Sequence, residues 1–120
     1  MTQIRKTLSL RLKENGRSPQ DESADVLTQA IGHQLCVRAT YNRGLVILAP
    51  HVLYTRNGDR FVDAVVVERN GGKPPEAKLG TFKLLGLNGV AMTSETFKRF
   101  SGFDENAPRY AEAVIACLDG

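Results

Sequence analysis

The first regular apolar pattern along the chain is helical. Val26, Leu27, Ala30 and Ile31 fall on one face of a run that opens at Ser18-Pro19-Gln20-Asp21-Glu22. A hydroxyl N-cap, a proline at the first helical position and acids near the positive end of the dipole mark a helix start. The helix is expected to run to about His33 and to lay its stripe on the chain beyond it. From Cys36 onward the signals are those of strands separated by turns. Cys36 to Tyr41 is rich in strand formers, and Asn42-Arg43-Gly44 reads as a tight hairpin loop with glycine available for positive φ. Leu45 to Thr55 is one long strand interrupted by Pro50, which cannot donate to a ladder and marks an edge, a bulge or a bend. Asn57-Gly58 is a hairpin turn leading into Phe61 to Val67, and Asn70 to Pro75 is a loop without regular structure. A strand from Lys78 to Leu87, a second Asn-Gly turn at Asn88-Gly89 and a last strand from Val90 to Thr93 complete a meander.

One helix followed by five short strands, one of them bent, predicts a mostly β protein with flanking helices. The expected arrangement is an N-terminal helix, a five-stranded Sm-like or SH3-like barrel, since closure hides strand edges, and then a C-terminal helix. Phe97, Phe100 and Phe103 are expected to close the barrel bottom from a connector. The C-terminal helix would begin near Asn106-Ala107-Pro108, with Tyr110, Ala113, Val114, Cys117 and Leu118 on one face. In domain terms, residues 1–17 form a basic arm in which Leu8, Leu10 and Leu12 alternate with Ser9, Arg11 and Lys13. Residues 18–97 form the barrel with its helix, and 98–120 the connector and C-terminal helix.

Composition refines this only a little. The chain has 120 residues, 42% apolar and 24% charged, which suits one soluble domain with a proper core and argues against disordered, collagen-like or membrane-spanning classes. No apolar h-region follows the N-terminal charges, so no secretory signal is expected, and Cys36 and Cys117 are read as free thiols of a cytoplasmic protein. Sixteen Lys plus Arg against thirteen Asp plus Glu leave +3, a balance that permits an anionic ligand without requiring one.

No P-loop, GxGxxG, HExxH, GxSxG or zinc spacing occurs, so no enzyme, no cofactor and no metal site is expected. Gly86-Leu87-Asn88-Gly89 imitates the backbone-clamping GxxG loop, but that loop joins helices and this one joins strands. Asp59 and Asp63 share a strand face, and a hydrolase built on His51 with Asp63 lacks any motif that positions a nucleophile. The cations are more informative. Arg38, Arg43, Arg56, Arg60, Arg69 and Lys83 lie in or beside strands with Tyr41, Tyr54 and Phe61 interleaved, a combination that small barrels use to hold oligonucleotides.

The run from Val26 to Phe97 resembles a WYL domain over roughly 60% of the chain. The resemblance is carried by Val37-x-x-x-Tyr41, by Ala49-Pro50-His51-Val52-Leu53-Tyr54, by Arg60-Phe61-Val62, and by Thr81-Phe82-Lys83-Leu84 followed by Thr93 and Phe97. It implies an Sm-like SH3 barrel with an N-terminal helix and a role in bacterial transcription regulation by sensing a ligand, with nucleotides or nucleic acid the favoured class. Tyr41 and His51 keep the family's identities, whereas the name triad falls on Arg60, Phe61 and Val62, and two positions where the family has arginine are Val46 and Gly86. About 18 residues precede the helix, too few for a winged helix-turn-helix, so a stand-alone module without independent reading of duplex DNA is expected. The ligand residues implied are Tyr41, Arg43, His51, Arg60, Phe61 and Lys83. The partner is a nucleotide or a short single-stranded nucleic acid, and no membrane is expected. The competing expectation is a protein-interaction or scaffold module, with a protein partner or a homodimer and a degenerate ligand site.

Overall fold

The computed structural model describes residues 17–119, so the basic arm predicted for 1–17 lies outside the described residues except for Arg17. Helix α1, Pro19–His33, starts where the sequence places it. The Ser18 Oγ accepts from the Asp21 backbone N–H at 3.2 Å, and the Ser18 N–H donates to Asp21 Oδ2 at 2.8 Å. Two orphan donors of the first turn are thereby satisfied reciprocally. Ala24, Leu27, Ala30 and Ile31 are the helix's buried apolar stripe, and Gln34 ends it in the left-handed region.

Six strands follow: β1 Leu35–Tyr41, β2 Gly44–Arg56, β3 Asp59–Arg69, β4 Leu79–Lys83, β5 Leu87–Thr96 and β6 Ala113–Cys117. They make one antiparallel sheet in the order β4-β3-β2-β1-β5, with β6 added to β2. The mostly β expectation holds, and the strand that bends is the one containing Pro50. Pro50 pairs with Ala64 and Val52 with Asp63, so His51 is an extra residue, a β-bulge. At this point β2 also exchanges neighbours: β1 pairs it through Leu48, and β6 pairs it from Val52.

Two architectural expectations are corrected. The sheet does not close into a barrel: among the described residues β4 pairs only with β3 and β5 only with β1, and the 3₁₀ turn Leu84–Gly86 separates them. Instead of mutual closure, α1 packs across β1, β2, β5 and β6 and supplies the covering layer. The C-terminal helix is absent as well. Pro108–Tyr110 forms a single 3₁₀ turn, and Ala113–Cys117 is strand β6. A helix of about a dozen residues is marginal by itself, while the edge of β2 that β1 vacates offers Ala113–Cys117 a ladder. The spacing of Tyr110, Ala113, Val114 and Cys117 is helical, and pairing with β2 overrides it.

Three turns also differ in detail. At the first hairpin the positive φ values belong to Asn42 (50°) and Arg43 (65°), not to Gly44. Gly44 is instead crowded by its neighbour, because a Cβ there would lie 3.2 Å from Asn70 Oδ1. Asn70-Gly71, inside the stretch expected to be irregular, makes a tight turn closed by Arg69 and Gly72. Asn88-Gly89 is not a hairpin turn: it lies within β5, where Gly89 at φ +62° produces a bulge against β1. No helix among the described residues is long and apolar enough to cross a membrane.

Candidate ligand site

The segment from Phe97 to Glu112 covers one face of the sheet, and two buried polar side chains fasten it. His51 is fully buried. Its Nδ1 lies 2.8 Å from the Ala49 carbonyl and its Nε2 accepts the Phe100 backbone N–H at 2.9 Å, which fixes the neutral Nδ1–H tautomer. Phe97 and Phe103 pack on the ring, each with a centroid separation of 5.2 Å. Burial lowers the ring's pKa below its ordinary value, outweighing the carbonyl that pulls the other way. Of the phenylalanines expected to close a barrel bottom, Phe97 and Phe103 therefore pack on a histidine that Phe100 meets through its backbone, with both ring nitrogens engaged inside the fold.

Asp63 is the second fastening. It is fully buried and accepts hydrogen bonds from Tyr54 Oη (2.8 Å), Thr81 Oγ1 (2.8 Å) and Tyr110 Oη (2.5 Å), with Arg109 Nη1 at 3.5 Å. Burial, and then the Asp63 carboxylate, push the Tyr54 hydroxyl up to about 12 and raise that of Tyr110 further, so both stay protonated and donate. Asp63 does not pair with Asp59, whose carboxylate is exposed and lies 3.4 Å from Lys83 Nζ.

The six residues named from the sequence do not converge. His51 lies in the core. Arg60 donates to Asp21 Oδ1 of α1 at 3.0 Å, Lys83 pairs with Asp59, and Phe61 stacks on Tyr54. Tyr41 packs edge-on against Phe82 at 5.1 Å, and Arg43 stands exposed at the tip of the β1–β2 hairpin. These last two share one end of the sheet, where Leu45 and Asn70 exchange hydrogen bonds and bring that tip beside the β3–β4 loop.

At the same end lies a hollow of about 250 Å³ lined by Val66, Arg69, Pro74, Glu76, Lys78, Gly80 and Phe82. Strand register explains the assembly, because paired residues share a face. Val62 opposes Phe82, Ala64 opposes Gly80 and Leu48 opposes Val66, all on the core face. Simple alternation from Val66 would put Glu68 on this face and Arg69 on the other. One extra residue, Val67, shifts the register so that Arg69 opposes the buried Val46. The bulge thus carries a guanidinium to an apolar floor. Gly80 keeps the hollow open, since a Cβ there would lie 3.3 Å from Phe82 Cε1. Glu76 and Lys78 face each other at 3.5 Å on the rim, both largely exposed.

A larger depression of about 550 Å³ lies at the opposite end of β2 and β3, lined by Arg56, Asn57, Ala107, Pro108, Arg109, Ala111 and Glu112. Its polar groups are partly committed: Arg109 turns to Asp63 and Thr81, and Glu112 accepts the Asn57 N–H. No aromatic side chain lines it.

Of the hollow's residues, the sequence pointed to Arg69 among the strand cations and to Phe82 within the WYL-like segment. The bulge and Gly80 carried no comparable signal. Both cysteines are free, and burial pushes the Cys36 thiol up to about 11. Among the described residues no group of three or more His, Cys, Asp or Glu side chains could hold a metal ion. No family model, curated protein or solved structure matches the chain.

Proposed function

We propose that this chain is a stand-alone, non-catalytic, WYL-like regulatory module of the cytoplasm that senses a nucleotide or the end of a short single-stranded nucleic acid. Four antiparallel strands in meander order behind an N-terminal helix, with a fifth returning to pair with the first, support the family reading. The observation that carries the ligand class is the hollow, where an aromatic floor, Phe82 braced by Tyr41, meets the cations Arg69 and Lys78. Aromatic rings offer a base its stacking partner, and cations beside them take the phosphate. Arg43, at the same end of the sheet, extends the basic rim. Of the residues expected to bind, Tyr41 and Arg43 keep that role, and Arg69, Lys78 and Phe82 take the place of His51, Arg60, Phe61 and Lys83.

Fluorescence anisotropy of labelled oligonucleotides, with unlabelled nucleotides as competitors, tests this on the full chain. With two phosphate contacts, oligonucleotide affinity is expected to fall about sevenfold between roughly 50 and 200 mM salt. Gly80→Val, which fills the hollow from the half-buried Gly80 of edge strand β4, and Arg69→Ala are each expected to weaken binding about tenfold. Binding that Gly80→Val leaves untouched would remove the hollow from consideration. The engagement of His51, Arg60 and Lys83 within the fold favours a second reading, a protein-interaction module. Failure to bind any nucleotide at low salt, together with recovery of a specific protein partner, would select it.

A further inference from the structure

We propose that residues 4–12 of this chain dock on the outer edge of β5 as a further strand, antiparallel to it. Among the described residues β5 pairs only with β1, so its other edge presents backbone N–H and C=O groups to whatever extended segment reaches it. That edge is apolar on one side. Met92 opposes the buried Val37 and shares its core face, yet it stays 38% exposed because no described strand lies beyond it. Val90 is half-buried, and Leu85, in the turn that leads into β5, is 65% exposed.

The occupant follows from the sequence and from where the chain enters α1. Leu8, Leu10 and Leu12 alternate with Ser9, Arg11 and Lys13, and Ile4 keeps the same period. One apolar face at period two is the pattern of a half-buried strand. These residues lie outside the described ones, but α1, which they precede, is well placed to deliver them. Pro19, Glu22, Ser23 and Val26 line a hollow of about 180 Å³ with Leu87, Asn88, Gly89 and Val90, so α1 begins over the start of β5. At the far end the Phe97 N–H donates to the Gln34 carbonyl, so α1 ends where β5 ends. Helix and strand run the same way, and a segment that reverses into α1 at Asn15-Gly16 runs antiparallel to both.

Length selects this edge over the others. β5 has ten residues, whereas β4 and β6, which also end the sheet, have five each. Residues 4–12 fill the first and overhang either of the others. Placing Leu10 beside Val90 places Leu8 on Met92 and Arg5 beside the exposed Glu95, an opposite-charge pair. A slip of one residue would lay Ser9 or Thr7 on Met92 and turn the leucines outward.

Nuclear Overhauser spectroscopy and amide hydrogen exchange on the isotope-labelled full chain test the proposal. The expected result is backbone contacts between residues 8–10 and 90–92 within one molecule, with slow exchange along the outer edge of β5. Leu8→Asp combined with Leu10→Asp is expected to abolish those contacts and to speed exchange of the same β5 amides about tenfold or more, leaving α1 and β2 protected. Fast exchange along that edge in the native sequence, or contacts of residues 4–12 with β4 or β6 instead, would overturn the proposal. So would contacts found only between copies in a mixture of differently labelled chains, which would make a second molecule the occupant. Slow exchange in β5 that the double substitution leaves unchanged would overturn it too.

Discussion

Tyr110→Phe is the sharpest test of how the segment from Phe97 to Glu112 is held. The substitution deletes one oxygen and keeps the ring, which packs edge-on against Tyr54 at 4.8 Å and beside Phe103 at 6.0 Å. No cavity larger than a hydroxyl is created, so the cost is that of the hydrogen bond to Asp63 Oδ2. A hydrogen bond to a charged group contributes about 1.5–3 kcal/mol net. The upper half of that range applies here, because Asp63 is fully buried and, among the described residues, the other donor to Oδ2 is Arg109 at 3.5 Å, a long contact. The expected loss is therefore about 2–3 kcal/mol, a substantial part of the roughly 5–15 kcal/mol by which a domain is stable.

Equilibrium urea unfolding followed by far-ultraviolet circular dichroism measures it. Pairing the substitution with Asp63→Asn in a double-mutant cycle isolates the interaction. With Asp63→Asn already present, Tyr110→Phe should cost only about 1 kcal/mol, the range of a neutral hydrogen bond. A loss below about 0.5 kcal/mol in the native sequence, or equal losses in both backgrounds, would refute the claim that Asp63 fastens this segment.

Other parts of the molecule give two further outcomes. Because burial favours the neutral His51 ring, the unfolded chain takes up that proton more readily than the folded one. Stability is then fully present above the unfolded histidine value near 6.5 and is lost as pH falls below it towards the lowered folded value. Urea unfolding between about pH 7.5 and pH 5 should show this with a slope of at most about 1.4 kcal/mol per pH unit, removed by His51→Gln; a flat profile would refute it. Asp21, held low by its hydrogen bonds to Ser18 and Arg60, acts only below about pH 4 and does not confound the window. The same substitution should have opposite signs at two glycines. Gly89→Ala places a side chain at φ +62° and should cost about 1 kcal/mol, whereas Gly32→Ala in α1, with nothing within 4 Å, should gain up to about 1 kcal/mol in thermal or urea denaturation.

The sequence determined on its own only what is local. Ser18-Pro19 and Asp21 contain the whole start of α1, since a cap is made by residues three apart. The strands up to Val67 and the Asn57-Gly58 turn were legible for the same reason: alternation and turn chemistry are written in neighbouring residues. Pro50 likewise announced a bend in β2. Tertiary structure decided the rest. Asn88-Gly89 has the composition of a hairpin turn, yet pairing with β1 makes it a bulge inside β5. Ala113–Cys117 became a strand because the edge of β2 beyond Leu48 was free to pair with it, a fact located about 60 residues away.

The candidate site divided in the same way. Strand cations and aromatics were visible one by one, but convergence depends on register, and a single inserted residue reverses which face a side chain occupies. His51 went into the core through one such bulge, and Arg69 reached the hollow through another at Val67. Neither could be placed from spacing alone, because a bulge is fixed by the partner strand's register and not by the strand that carries it.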